Sequence, residues 1–310
     1  MKVLVAGASG LAGSAIALAS MNRGYETIQV TRQNVDLRNF AETANFIGQH
    51  KPDVVISAAA KVGGIVANND FPVEYMLENL QIQNNVISAS HSAQVNKVVF
   101  LGSSCIYPRN SAQPIKEEYL MTGELEPTNS AYAVAKIAGI ELINSYRKEY
   151  SHKWVSLMPT NLYGPRDNFN LDSSHVLPAL IRKFLEAKEN SFESVTLWGT
   201  GNPLREFLYI DDFAEAVMVV AERYDQKLHL NVGTGVDISI KDLAGTIAEI
   251  VGFEGKINWD TSKPDGTPRK VLDVSRIKDL GWKPIVDLAS GIQKTVDWFL
   301  DARIANEVRL

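Results

Sequence analysis

Cysteine is almost missing: the 310 residues include one, Cys105, so no internal disulfide can form. A thiol without a partner suits a reducing cytosol better than a secreted, disulfide-stapled scaffold. Long apolar runs are missing too, and none approaches the ~20 residues that a membrane span needs. The N-terminus, Met1-Lys2-Val3-Leu4-Val5, reaches glycines too early for the apolar core of a signal peptide. Positive charge is not in excess. The net charge is -5 and the basic residues are scattered, which excludes a nucleic-acid footprint. Internal repeats and low-complexity segments are also absent. These absences predict a soluble cytoplasmic protein with no membrane or nucleic-acid partner, in which a local cluster or backbone amides hold any anionic ligand.

What is present is an ordinary globular composition, 45% hydrophobic and 22% charged, in a length sufficient for one large domain or two lobes. Val3-Leu4-Val5-Ala6 is a short apolar run rich in β-branched residues, followed by Gly7-Ala8-Ser9-Gly10-Leu11-Ala12-Gly13 and a helical pattern through Arg23. Strand, glycine turn and helix form the setting in which this spacing predicts a dinucleotide site. Gly7 allows the tight turn, and Gly10 lets the backbone approach a pyrophosphate. Gly13 lets the helix sit close to the strand, with its positive end aimed at the phosphates. A second strand, Glu26 to Thr31, runs into Arg32 with no acidic residue at its tip. An acid there would hold the ribose diol of NAD, whereas Arg32 can pair with the extra phosphate of NADP. Asp36 follows in a turn, placed to accept from an adenine amine or to cap a helix.

Val54-Val55-Ile56-Ser57-Ala58 reads as a buried third strand, and the small residues after it leave room for a cofactor against bare backbone. A helix spans Val73 to Ala93 and contains Asn79. The fourth strand, Val98 to Leu101, runs into Gly102-Ser103-Ser104-Cys105-Ile106-Tyr107-Pro108. The carboxyl ends of parallel strands face the ligand crevice, so Ser103, Ser104 and Cys105 should point at it. Ser130 precedes a helix on which Tyr132 and Lys136, four residues apart, share a face. An ammonium beside a phenol favours phenolate and would draw the tyrosine from its usual pKa of about 10 toward neutrality, making it a usable acid. A fifth strand, Trp154 to Met158, ends in Pro159-Thr160-Asn161-Leu162-Tyr163-Gly164-Pro165.

This alternation predicts an α/β fold: a Rossmann-type doubly wound parallel sheet with a smaller C-terminal substrate-binding lobe. Beyond Pro165 the pattern loosens into a helix around His175 to Ala187 and a short segment, Val195 to Trp198. The chain is expected to return to the main sheet with Glu206-Phe207-Leu208-Tyr209, the helix after Asp211-Asp212 and the strand His229 to Val232. The expected division is residues 1-165 plus about 206-235 for dinucleotide binding, and about 166-205 plus 236-310 for the smaller lobe.

With these stretches in one order, the chain resembles the extended short-chain dehydrogenase/reductases that act on nucleotide sugars. It is most similar to the group that epimerises and reduces a GDP-4-keto-6-deoxy-mannose. The matching stretches are Ala58 to Asn68, Gly102 to Pro108, Tyr132 to Gly139, Pro159 to Pro165, Arg205 to Leu208 and Ser262 to Arg269, which together span nearly the whole chain. The resemblance implies inversion at C3 and C5 of the keto sugar, then reduction of C4 with hydride from NADPH. Epimerisation needs a base to remove a proton α to the carbonyl and an acid to return one on the other face. By motif those roles fall to Cys105 and His175. A thiol near ~8.5 and an imidazole near ~6.5 lie on either side of working pH. Ser103 would hydrogen-bond the ketone oxygen and Tyr132 protonate it, while Lys136 would hold the nicotinamide ribose and keep Tyr132 acidic.

The resemblance also implies cofactor contacts from Gly7, Ala8, Ser9, Gly10, Leu11, Ala12 and Gly13, from Arg32, and from Leu101, Gly102, Ser103 and Ser104. Lys136, Pro159, Thr160, Asn161, Leu162 and His175 complete that set. Lys183, Trp198, Arg205 and Asp265 match positions that contact the GDP-sugar: cations for a diphosphate, an aromatic face, and a carboxylate for hydroxyls. A homodimer is implied, and no metal is expected. The chain departs from its relatives at Ser9, where they carry a basic residue before the second glycine. His152 and the tail after Asp301 match nothing informative. Dehydratases of the superfamily carry an acidic pair where this chain has Ser104-Cys105, so no carboxylate stands ready to expel a C6 hydroxyl. A 4-epimerase would hold NAD without net consumption of NADPH. A non-catalytic NADP-binding module, the remaining alternative, usually lacks the Tyr or the Lys of the pair.

Overall fold

The computed structural model describes residues 1–263 and 265–310; Pro264, part of one matching stretch, lies outside the described residues. The chain begins β1 (Lys2–Ala6), α1 (Leu11–Asn22), β2 (Glu26–Val30), α2 (Phe40–His50), β3 (Val54–Ser57), α3 (Ile65–Asp70), α4 (Pro72–Ser92) and β4 (Lys97–Leu101). It continues with α5 (Ser130–Tyr150), β5 (Val155–Pro159), β6 (Asn161–Tyr163), α6 (Val176–Glu189), β7 (Ser194–Trp198), β8 (Leu204–Tyr209), α7 (Ile210–Arg223) and β9 (Leu230–Val232). The remaining elements are β10 (Asp237–Ser239), α8 (Ile240–Val251), β11 (Lys256–Asp260), β12 (Arg269–Lys270), α9 (Ser275–Asp279) and α10 (Leu288–Ile304).

Six strands form a wholly parallel sheet in the order β2-β1-β3-β4-β5-β9. Val3 to Ala6, Val54 to Ile56 and Val98 to Phe100 are buried without alternation, as strands covered on both faces must be. Helix α1 packs against α7, while α4 packs against α2 and α5, giving one helical layer on each side. The strand order reverses at β1, so the crevice opens between the carboxyl ends of β1 and β3, where ligands bind in such sheets.

One expectation fails here. The segment from Glu206 to Tyr209 does not rejoin the main sheet: β8 pairs with β6, β10 and β12 in a separate sheet, and β9 alone becomes the sixth strand. Glu206 gives the physical reason. Its buried carboxylate accepts from the Gly235 amide at 2.7 Å and the Leu272 amide at 2.8 Å, loop donors that the interior of a parallel sheet would not offer. A two-stranded sheet of β7 and β11 and the helices α6, α8 and α10 enclose a second core that includes Phe184, Leu243, Ile247 and Phe299. The boundary between lobes also moves. Leu272, Val274, Ile277 and Trp282 pack on the larger core, although the sequence places them in the smaller lobe. Among the described residues, no helix is long and apolar enough to cross a membrane.

Candidate active site

A cleft of about 1350 Å³ runs from the glycine turn, past the ends of β3, β4 and β5, to the face of α6, β7 and β8. At its floor Gly7 has φ +88°, and a Cβ there would sit 2.7 Å from the Ala59 backbone. A Cβ on Gly13 would lie 2.1 Å from the Gly7 carbonyl oxygen. Both positions therefore require glycine, and the α1 N-terminus is drawn onto the crevice. The first-turn amides of Leu11, Ala12 and Gly13 have no acceptor within the helix and border the cleft with Ser9 and Gly10. This cradle fits a pyrophosphate. Ala8 is a correction: its amide donates to Val30 O at 2.9 Å and its side chain joins the main core, so it does not line the cleft.

At the adenosine end, Arg32 lines the cleft with its side chain exposed and pairs with Glu78 at 2.8 Å. Asp36 caps no helix. It takes two bonds from Arg38 at 2.9 Å, which hold its carboxyl down at about 2, and Asn39 caps α2 instead. Arg38 and Glu78, both bordering the cleft, were not singled out from the sequence.

β4 delivers Leu101 and Gly102 to the cleft, and a short helical turn, Ser104–Ile106, follows with Ser103 as its cap. The Ser103 hydroxyl oxygen accepts from the Cys105 amide at 3.2 Å. Helix α5 opens after the turn Pro127–Asn129 and ends with Arg147 and Lys148, cations suited to a helix C-terminus. Its buried face carries Tyr132 and Lys136 into the cleft beside Ser103 and Cys105.

The electrostatics of that pair reverse the expectation. Burial pushes the Tyr132 phenol well above its ordinary value, with Cys105 adding in the same direction and the Ser103 hydroxyl opposing it. Burial also takes Lys136 down to about 8. Its ammonium donates to Leu101 O at 2.9 Å and lies 5.9 Å from the Tyr132 ring centroid. Desolvation leads for both groups, so Tyr132 is held protonated, with a proton to give.

From the opposite wall, His175 forms the N-cap position of α6. The residue is exposed and borders the cleft, yet the protein packed around the imidazole pushes it below its ordinary value, with Lys270 acting in the same direction. Lys183 and Arg205 border the same region and are lowered chiefly by burial. Trp198 is 58% exposed, with Lys183 Nζ 5.8 Å and Lys263 Nζ 5.5 Å from its ring centroid. Asp265 accepts from the Thr200 amide at 2.9 Å and from the Thr200 hydroxyl at 2.7 Å. Pro159, Thr160, Asn161 and Leu162 line the cleft where β5 gives way to β6.

Four further groups border the cleft without having been given a role from the sequence. Asn68 and Asn129 each have a buried side-chain oxygen with no partner, ready to accept from hydroxyls. Asp167 has one oxygen bonded to the Asn168 amide at 2.7 Å and the other unpartnered, and burial pushes it up to about 7. Lys270 sits against Cys105 at 3.6 Å. These residues come from separate segments, and no local spacing links them to the cleft.

The model of the NAD dependent epimerase/dehydratase family matches residues 3–233. The GDP-L-fucose synthase 1 of Arabidopsis thaliana is 51% identical over 96% of this chain and 93% of its own length. The GDP-L-fucose synthase of Escherichia coli strain K12 is 47% identical, with 97% of each chain covered. The crystal structure of a GDP-L-fucose synthetase from Naegleria fowleri bound to NADP superposes with a TM-score of 0.91 at 29% identity, covering 99% of this chain and 96% of that one. With the switch-point cleft, the glycine cradle and the Ser103, Tyr132 and Lys136 cluster in place, the chain belongs to the NAD dependent epimerase/dehydratase family, on the branch of its GDP-L-fucose synthase relatives.

Proposed function

We propose that the protein converts GDP-4-keto-6-deoxy-mannose to GDP-L-fucose by 3,5-epimerisation followed by NADPH-dependent reduction at C4. The observation that supports this reading is the meeting of Cys105, His175, Ser103 and Tyr132 around one cleft that also holds the glycine cradle. C3 and C5 both flank the C4 ketone, so a single set of groups can act on either. One of Cys105 and His175 removes the C–H proton, and the bonding pair moves into an enolate. Ser103 and Tyr132 hold the oxygen on which that charge collects. The other of the two returns a proton on the opposite face. NADPH held in the glycine cradle would supply hydride to C4, and Tyr132 would give its proton to the C4 oxygen, which stays on the carbon as the new hydroxyl. Lys183 and Arg205 neutralise the diphosphate, Trp198 offers its face to the base, and Asp265 and the free amide oxygens take hydroxyls.

The enzyme is read as cytoplasmic and homodimeric. The decisive test is incubation with GDP-4-keto-6-deoxy-mannose and NADPH in deuterated water, following the reduced-nicotinamide band and the product mass. Loss of NADPH with about two deuterons gained, one for each inverted centre, is the expected result. Deuterium gain without NADPH loss would reduce the assignment to an epimerase, and neither change would remove the substrate. Replacing Cys105 by Ser should block deuterium entry at C3 and C5; undiminished exchange would assign the proton transfer elsewhere.

A further inference from the structure

We propose that Lys270 is a positioning residue for the Cys105 sulfur: its ammonium, with the Asn129 amide, stabilises negative charge on Sγ and readies it to take a proton. The inference deepens the proposed epimerisation, and its catalytic consequence rests on that reading.

Two N–H donors converge on one sulfur from distant parts of the chain. Lys270 Nζ lies 3.6 Å from Sγ and Asn129 Nδ2 lies 3.5 Å from it. Successive residues of a strand point to opposite faces. Arg269 accordingly pairs with Asp237 at 2.5 Å, while Lys270 turns to the cleft. Among the described residues, no carboxylate lies within ion-pair distance of Lys270. A half-buried ammonium with no acid beside it is a cation aimed at an anion, and the atom it touches is sulfur.

The backbone holds it there. β12 pairs with β8 in the register Lys270 to Arg205, the Leu204 amide donates to Pro268 O at 2.8 Å, and the Val271 amide donates to Gln113 Oε1 at 2.9 Å. Other groups around the thiol come from each neighbouring element: Ser103 from its own turn, Tyr132 from α5, His175 from the start of α6 and Arg205 from β8. Glu126 and Asp265 act on Arg205 and share its charge. Among the cations described around the thiol, Lys270 is the one within hydrogen-bonding distance of Sγ. A thiolate, not a thiol, is the base and nucleophile.

The test uses the substrate-free protein, in which Cys105 is the only cysteine. The rate of alkylation by iodoacetamide is measured against pH for the wild type, Lys270→Met and Lys270→Arg, with Cys105→Ser as blank. Lys270→Met should move the alkylation midpoint up by about one pH unit and slow alkylation at pH 7 about tenfold. Lys270→Arg should restore most of the rate. Lys270→Gln serves as the second neutral variant if the Met protein does not fold. Deuterium entry from solvent into the 4-keto sugar should fall with the alkylation rate, while NADPH affinity stays constant. An unchanged alkylation profile in a folded neutral variant overturns the proposal, and a rise in KM alone would make Lys270 a phosphate anchor. A shifted profile without turnover of the GDP-sugar would uphold the Lys270–Cys105 pairing and sink the proposed reaction instead.

Discussion

Around α1 the wall of the cleft is backbone: Gly7 and Gly13 leave no room for a Cβ, and first-turn amides face the void. Across the cleft the wall is made of long side chains, with Lys183 from α6, Trp198 from β7, Arg205 from β8 and Lys270 from β12. The first wall is set by one continuous turn whose geometry fits a pyrophosphate. The second is assembled from four elements and offers charge and an aromatic face. Substitutions should therefore act in different ways on the two walls: by obstruction on the first, by loss of individual contacts on the second.

Four predictions bear on that contrast. The largest effect belongs to the group that serves both walls: Tyr132→Phe should lower the reduction rate by about 10²–10⁴-fold. NADPH affinity, read by fluorescence titration, should change little, and unaltered turnover would remove Tyr132 from the acid role. Next, Gly13→Ala should weaken NADPH binding by about 100-fold or more, since its methyl carbon meets a backbone oxygen that cannot yield. Melting temperature should fall as well, while GDP binding in the folded fraction persists. Parallel loss of GDP binding would erase the distinction between the walls. Third, Arg205→Met should raise the Kd for GDP by about tenfold, the value of one charge-assisted bond of roughly 1.4 kcal/mol, and leave NADPH binding intact in calorimetry.

The smallest effect is on stability. Asp167 has a folded pKa of about 7 against an ordinary 3.8, so the folded state binds more protons through that interval and stability falls as pH rises across it. The penalty is fully present above about pH 7 and absent below the unfolded value. Asp167→Asn should therefore raise Tm by a few degrees at pH 8 and have little effect at pH 4; equal shifts at both would deny the carboxylate its burial cost.

The legibility of each region follows from how it is built. β1, β3, β4 and β5 were readable because buried parallel strands are largely continuous apolar runs, and the glycine turn because its constraint is local. β8 was misplaced because a strand such as Leu204–Tyr209, buried over most of its length, does not state which sheet buries it. β12 is two residues long and has no pattern of its own, so the direction of Lys270 could not be inferred from its neighbours. The Tyr132 and Lys136 spacing correctly placed both side chains on one face. Burial moves the phenol up and the ammonium down, opposite to the expectation for the phenol, because depth of burial is a tertiary quantity that the spacing does not carry.

By itself the sequence determined the parallel sheet, the dinucleotide turn and the chemical kinds of group at the reacting end, since each is written in contiguous residues within reach of local sterics. Tertiary structure alone decided which sheet received β8, how far the phenol and ammonium were desolvated, and which cation came to rest against Cys105. Those outcomes depend on through-space packing among segments as far apart as Cys105 and Lys270, and packing over such separations leaves no periodic signal along the chain.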